Sequence, residues 1–205
     1  MSRMACWVKK IYVSLPAKEM RMRWLVFVAA ALICVLSGCN AKNGGDVLRV
    51  ERVNDSLFAY YTADGRGELR LVWINDSTHI IRHELDGRMA DEWQLAYPVF
   101  RFDCGDLTGD GLPEVAVGVV KPTRYWPQSD RRLFIFHFFH GRLIRPLWLG
   151  SRVGGRLVDF CIERDSVPAM VHTWESVGDS DTPVERLYVM NGFGLKYNKQ
   201  ITTEL

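Results

Sequence analysis

Residues 106 to 114 place Asp106, Thr108, Asp110 and Glu114 at positions 1, 3, 5 and 9 of one short stretch, with Gly111 at position 6. Oxygen-bearing side chains at that spacing can fold around a hard cation such as Ca2+, and glycine at the sixth position permits the tight turn. The chemistry on offer is binding rather than bond-breaking, because no nucleophile and base pair stands beside the stretch. An Asp-Gly turn held by side-chain to backbone hydrogen bonds, with no ion, is the competing reading.

A second chemical signal is Cys39. Arg21 and Arg23 precede an apolar run from Trp24 to Leu36 that is too short to span a bilayer comfortably, the layout of an export signal. The run ends in Leu36-Ser37-Gly38-Cys39, which resembles the lipobox of bacterial lipoproteins. That resemblance implies a diacylated Cys39 as the new N-terminus and a chain anchored in a bacterial cell envelope, at the outer membrane in a Gram-negative cell. A signal-anchor helix with an incidental cysteine is the alternative. Residues 1–19 place a mixed charged and apolar stretch ahead of this leader and read as an over-long start. The expected organisation is a signal peptide over 1–38, a lipidated cysteine and flexible tether over 39–46, and a folded domain over 47–205. Of five cysteines, only Cys104 and Cys161 fall in that domain. A disulfide suits an exported protein, but each sits in an expected strand where a buried thiol is the simpler fate.

The remaining candidates are weaker. His137 and His140 are three apart on an expected strand and so point to opposite faces, which prevents joint chelation. His79, His83 and His172 have no partners at zinc-like spacing. Most of the tryptophans and tyrosines are expected in the core. The exception is the polar stretch 121–130, expected as a long loop, where Arg124, Tyr125 and Trp126 are candidate ligand contacts. Its alternative fate is to fold back so that Trp126 covers a sheet edge. Residues 175–183 are expected as a solvated connection, with a weak cation site through their acidic residues as the alternative.

What must position these residues is a set of strands. The formal charge of +2, from 26 basic and 24 acidic residues, gives no composition-level case for nucleic acid. Short apolar or alternating runs over 47–53, 57–62, 68–75 and 78–85 are divided by turn residues and predict four antiparallel strands. A second set covers 99–104, 114–120, 132–139 and 142–149. A third covers 156–162, 167–174, 185–190 and 195–199, with Asn191-Gly192 as a hairpin signal. The sets recur at roughly 50 to 60 residues, the spacing of a repeat fold. Arg132 to Phe136 matches Arg186 to Met190, and Asp110 to Val115 matches Asp165 to Met170, with the ligand positions lost in the later copy.

Asp106 to Glu114, running into Val115 to Gly118, resembles the FG-GAP and VCBS Ca2+-binding loops of integrin propellers and exported bacterial proteins. The resemblance implies that Asp106, Thr108, Asp110 and Glu114 offer side-chain oxygens and Leu112 a backbone carbonyl, all to a structural Ca2+. Thr108 departs from the pattern, which usually has Asp or Asn there. The fold expected is therefore all-β, with three four-stranded antiparallel repeats like β-propeller blades, as a partial propeller or an open array. Self-association could complete a ring. The function expected is binding or scaffolding at the envelope, toward a protein or glycan and without enzymatic activity. A glycan-active enzyme and a purely structural lipoprotein are the alternatives.

Overall fold

The computed structural model describes residues 48–201 apart from 125, 151 and 179–181, and the backbone but not the side chain of residue 126. The signal segment, Cys39 and the whole of the tether lie outside the described residues, as does Tyr125. The chain divides into two units, Met1–Gly44 and Gly45–Leu205, and every described residue belongs to the second.

Among the described residues there is no helix, and the strands form three antiparallel meanders in chain order. Sheet 1 holds β1 (Arg49–Asn54), β2 (Leu57–Thr62), β3 (Gly65–Asn75), β4 (Thr78–Leu85) and β5 (Arg88–Leu95). Sheet 2 holds β6 (Val99–Gly105), β7 (Glu114–Thr123), β8 (Trp126–Phe139) and β9 (Leu143–Leu149). Sheet 3 holds β10 (Arg156–Glu163), β11 (Met170–Ser176), β12 (Val184–Asn191) and β13 (Gly194–Ile201). None of the three closes into a barrel or propeller.

Sheet 2 is sandwiched. Val115, Val117 and Val119 alternate along β7 and, with Phe134, Phe136 and Phe138 of β8, pack on Phe58, Leu69 and Ile81 of sheet 1. The intervening Ala116, Leu133 and Ile135 pack on Leu157, Phe160, Ile162 and Val171 of sheet 3. Residues 114–119 are buried without a break, the pattern of a strand covered on both faces. Gly118 belongs to this packing, since a Cβ there would come within 2.5 Å of the Phe100 ring.

The expected three sets of strands are present, with three corrections. Sheet 1 has five strands, because Arg88–Leu95 adds β5 to the four expected. Only Leu95 of β5 is fully buried, and an edge strand carrying charge on its open face shows little periodicity. Its turn was nonetheless legible in Asp86-Gly87, where both residues have positive φ, 48° and 73°, as a tight hairpin requires. The stretch 121–130 is not a long loop. Lys121 pairs with Asp130 and Thr123 with Trp126, so β7 and β8 run on as a two-stranded arm. The arm extends past both neighbours, since β6 pairs no further than Val119 and β9 no further than Phe134. Glu175, expected in a solvated connection, lies in β11 and is fully buried.

Candidate functional site

The acidic loop joins β6 to β7, and its carboxylates turn inward onto the loop's own amides. Asp106 Oδ1 accepts from Gly109 N at 2.6 Å and Asp110 N at 3.1 Å, and Oδ2 accepts from Gly111 N at 3.0 Å. Glu114 Oε2 accepts from Leu107 N at 2.7 Å and Thr108 N at 3.1 Å, while Thr108 Oγ1 donates to Oε1 at 3.2 Å. Asp110 Oδ1 accepts from Leu112 N at 2.9 Å. Gly109 and Gly111 take φ of 79° and 83°, which side chains rarely adopt, so the glycine positions fit the turn.

Glu114 is 1% exposed, and burial pushes its carboxyl up to about 8, with the charges of Asp110 and then Asp106 adding to the shift and the Leu107 and Thr108 amides opposing it. A divalent cation would reverse that balance by favouring the ionised form. The donor chemistry, oxygens only, fits a hard cation. The orientation is a closed hydrogen-bond pattern, and among the described residues no three His, Cys, Asp or Glu side chains gather as a metal group. Coordination by Asp106, Asp110 and Glu114 would therefore draw some of these oxygens off the amides.

The loop sits where the ends of the three sheets meet. It lines a cavity of 970 Å3 together with Val50 of β1, Asp64 in the β2–β3 turn, and Arg164 and Val167 after β10. Asp106 O accepts from Ala169 N at 2.6 Å, so the acidic loop and its decayed copy touch. Arg164 ties the junction together. Its Nη2 pairs with Asp103, Nε donates to Cys104 O at 2.8 Å, and its guanidinium lies 5.6 Å from the Phe58 ring centroid. Asp103 also accepts from Ile162 N at 2.9 Å, which makes it a joint between sheets 2 and 3.

Arg124, Cys104 and Cys161 are the remaining described candidates. Arg124 is exposed at the tip of the β7–β8 arm. Cys104 and Cys161 are free thiols. Burial raises both, Cys161 to about 11, so neither is a thiolate at neutral pH.

Sequence reasoning missed a second polar centre. Glu175 Oε1 accepts from Thr173 Oγ1 and Tyr188 Oη, each at 2.7 Å. Its Oε2 accepts from Arg186 Nη1 at 2.7 Å and from Gly155 N, and Tyr188 Oη in turn accepts from Gly154 N at 3.0 Å. The only sequence signal was the pair Gly154-Gly155. Cβ atoms there would lie 2.6 Å from Arg186 Nη1 and 2.9 Å from Glu175 Oε2 respectively.

No protein-family model matches the chain, and no curated protein matches it.

Proposed function

We propose that the chain is an exported bacterial lipoprotein, held to an envelope membrane through lipid on Cys39, whose all-β domain binds or scaffolds and is stiffened by Ca2+ in the loop Asp106 to Glu114. The observation that carries the anchoring is Leu36-Ser37-Gly38-Cys39 behind a basic and apolar leader. Cys39→Ser should abolish incorporation of labelled palmitate and release the protein from the membrane fraction. Retention of both label and membrane association would sink the lipid anchor.

The Ca2+ reading rests on the spacing of oxygen ligands and on three carboxylates in one loop, one of them buried. The residues that would hold the ion are Asp106, Thr108, Asp110 and Glu114, with the Leu112 carbonyl. The ion supplies a clamp at the start of β7. Ligand that binds only the folded state raises stability with its concentration. The full chain should therefore melt at a higher temperature in Ca2+ than in chelator, and Asp110→Ala should remove the difference. Equal melting temperatures at millimolar Ca2+ would reduce the loop to the hydrogen-bonded turn.

The β7–β8 arm, led by Arg124 to Trp126, is the surface we assign to recognition of an envelope protein or glycan, because it projects beyond its sheet and carries exposed polar residues. The three stacked meanders resemble propeller blades, and a second copy could extend the stack. Chromatographic mass decides that point: a strict monomer removes the ring.

A further inference from the structure

Sheets 1 and 2 close at their outer strands. Trp93 of β5 lies against Phe136 with ring centroids 5.6 Å apart, and Asp91 Oδ2 accepts from Ile144 N at 2.8 Å. Sheets 2 and 3 instead pack through β10, which lies against β6, β7 and β8. Outward from that seam a cavity of 460 Å3 opens among β9, β12, β13 and the link into β10. That volume is within the range of small-ligand sites, about 300–1,000 Å3.

The lining combines flat rings with guanidinium groups: Trp148, Arg152, Arg186, Tyr188, Tyr197 and Gln200. Arg186 and Tyr188 are fixed from behind by the fully buried Glu175. The approach of Gly154 and Gly155 allows the backbone to complete that support. Tyr197 stands edge-on to Tyr188 at 6.0 Å and is about half exposed. Among the described residues no acidic side chain lines the cavity. Glu175 already balances Arg186, whereas Arg152 forms no ion pair among the described residues. The lining thus presents an anchored Tyr188, two further rings, and a guanidinium with no ion pair among the described residues.

We propose that this cavity binds a saccharide ring bearing a carboxylate. The guanidinium fork of Arg152 matches a carboxylate in two parallel hydrogen bonds. Trp148 and Tyr197 offer apolar ring faces with polar tips, which suits a sugar ring that has one apolar face and a polar rim. Gln200 supplies an amide donor and acceptor for a hydroxyl. The inference rests on the reading of the domain as a binding module and adds a site for acidic sugars in the gap between sheets 2 and 3, apart from the β7–β8 arm.

The test titrates the purified full chain with a trisaccharide of galacturonic acid and with its neutral galactose counterpart, followed by calorimetry and tryptophan fluorescence. Saturable binding of the acidic sugar, about tenfold or more tighter than the neutral one, is expected. Arg152→Gln should erase the preference and Tyr197→Ala should weaken both sugars. Arg152 is exposed, so its variant should keep the wild-type melting temperature and carry the test if Tyr197→Ala does not fold. No saturable binding of the acidic sugar, equal affinity for the two, or an unchanged preference in Arg152→Gln would overturn the proposal. Loss through Arg124→Ala with Arg152→Gln intact would place recognition on the arm, overturning the cavity while leaving the binding module.

Discussion

His83 is fully buried, with Nδ1 2.8 Å from Arg142 O and Nε2 2.7 Å from Tyr60 Oη. A carbonyl only accepts, so Nδ1 carries the hydrogen and Nε2 accepts from Tyr60. Burial holds the ring's proton affinity below its ordinary value of 6.5, against the opposing pull of the Arg142 carbonyl. The unfolded chain therefore binds the proton first as pH falls. Stability contributed by neutral His83 is complete above about pH 6.5 and is lost as pH drops from there towards the lower folded value. Denaturant melts from pH 8 to pH 5 should show wild type losing stability relative to His83→Asn, by at most about 1.4 kcal/mol per pH unit for one proton. A pH-independent difference would refute the assignment. Legibility at this scale was uneven. The loop spacing of Asp106, Asp110 and Glu114 was plain in the sequence, because neighbours in a turn are neighbours in the chain. Which oxygens face amides was not, since spacing does not set side-chain direction. Glu175 was invisible for another reason: its partners Gly155, Arg186 and Tyr188 come from separate segments.

Strands were mostly readable where one or both faces are buried, as in β7 and β8, because apolar alternation or an apolar run follows directly from that burial. They were misread where packing is thin, in the edge strand β5 and in the β7–β8 arm beyond Val120. There pairing is backbone to backbone and leaves no apolar pattern. The β9–β10 link shows how close approach selects glycine. In Gly155→Ala the new methyl would sit 2.9 Å from both Glu175 Oε2 and Ser176 O. A loss of about 1–3 kcal/mol is expected. Gly194→Ala meets nothing nearer than Trp148 at 3.7 Å and serves as the control, expected to cost less. Equal denaturant midpoints for the two variants would contradict the packing of Gly155 on Glu175.

Across the whole molecule, each sheet is built from chain-adjacent hairpins, and the sheets are joined by a few long-range contacts. The sequence period made the three units legible. The face-to-face stacking was not, because the joints are single side chains without a motif. Asp103 is a buried one between sheets 2 and 3, bonded to Ile162 N and Arg164. Asp103→Ala removes the acceptor of Ile162 N and the carboxylate paired with Arg164, which keeps its bond to Cys104 O. Breaking a buried pair costs about 3–5 kcal/mol, but Arg164 is about one-third exposed and solvent recovers part of that, so about 2–3 kcal/mol is expected in denaturant melts. An unchanged midpoint would mean that apolar packing alone holds the sheets.

β1 is bonded to β2 on one side only and forms the edge of sheet 1 at the N-terminal end of the described chain. If Cys39 is fixed in a membrane, any drag on the domain arrives through that strand. A pull on the start of an antiparallel hairpin acts across its hydrogen bonds, which then open one after another instead of sharing the load. Under tension the domain would peel from β1 inward, sheet 1 acting as a mechanical fuse, while the doubly covered strands of sheet 2 feel the force last.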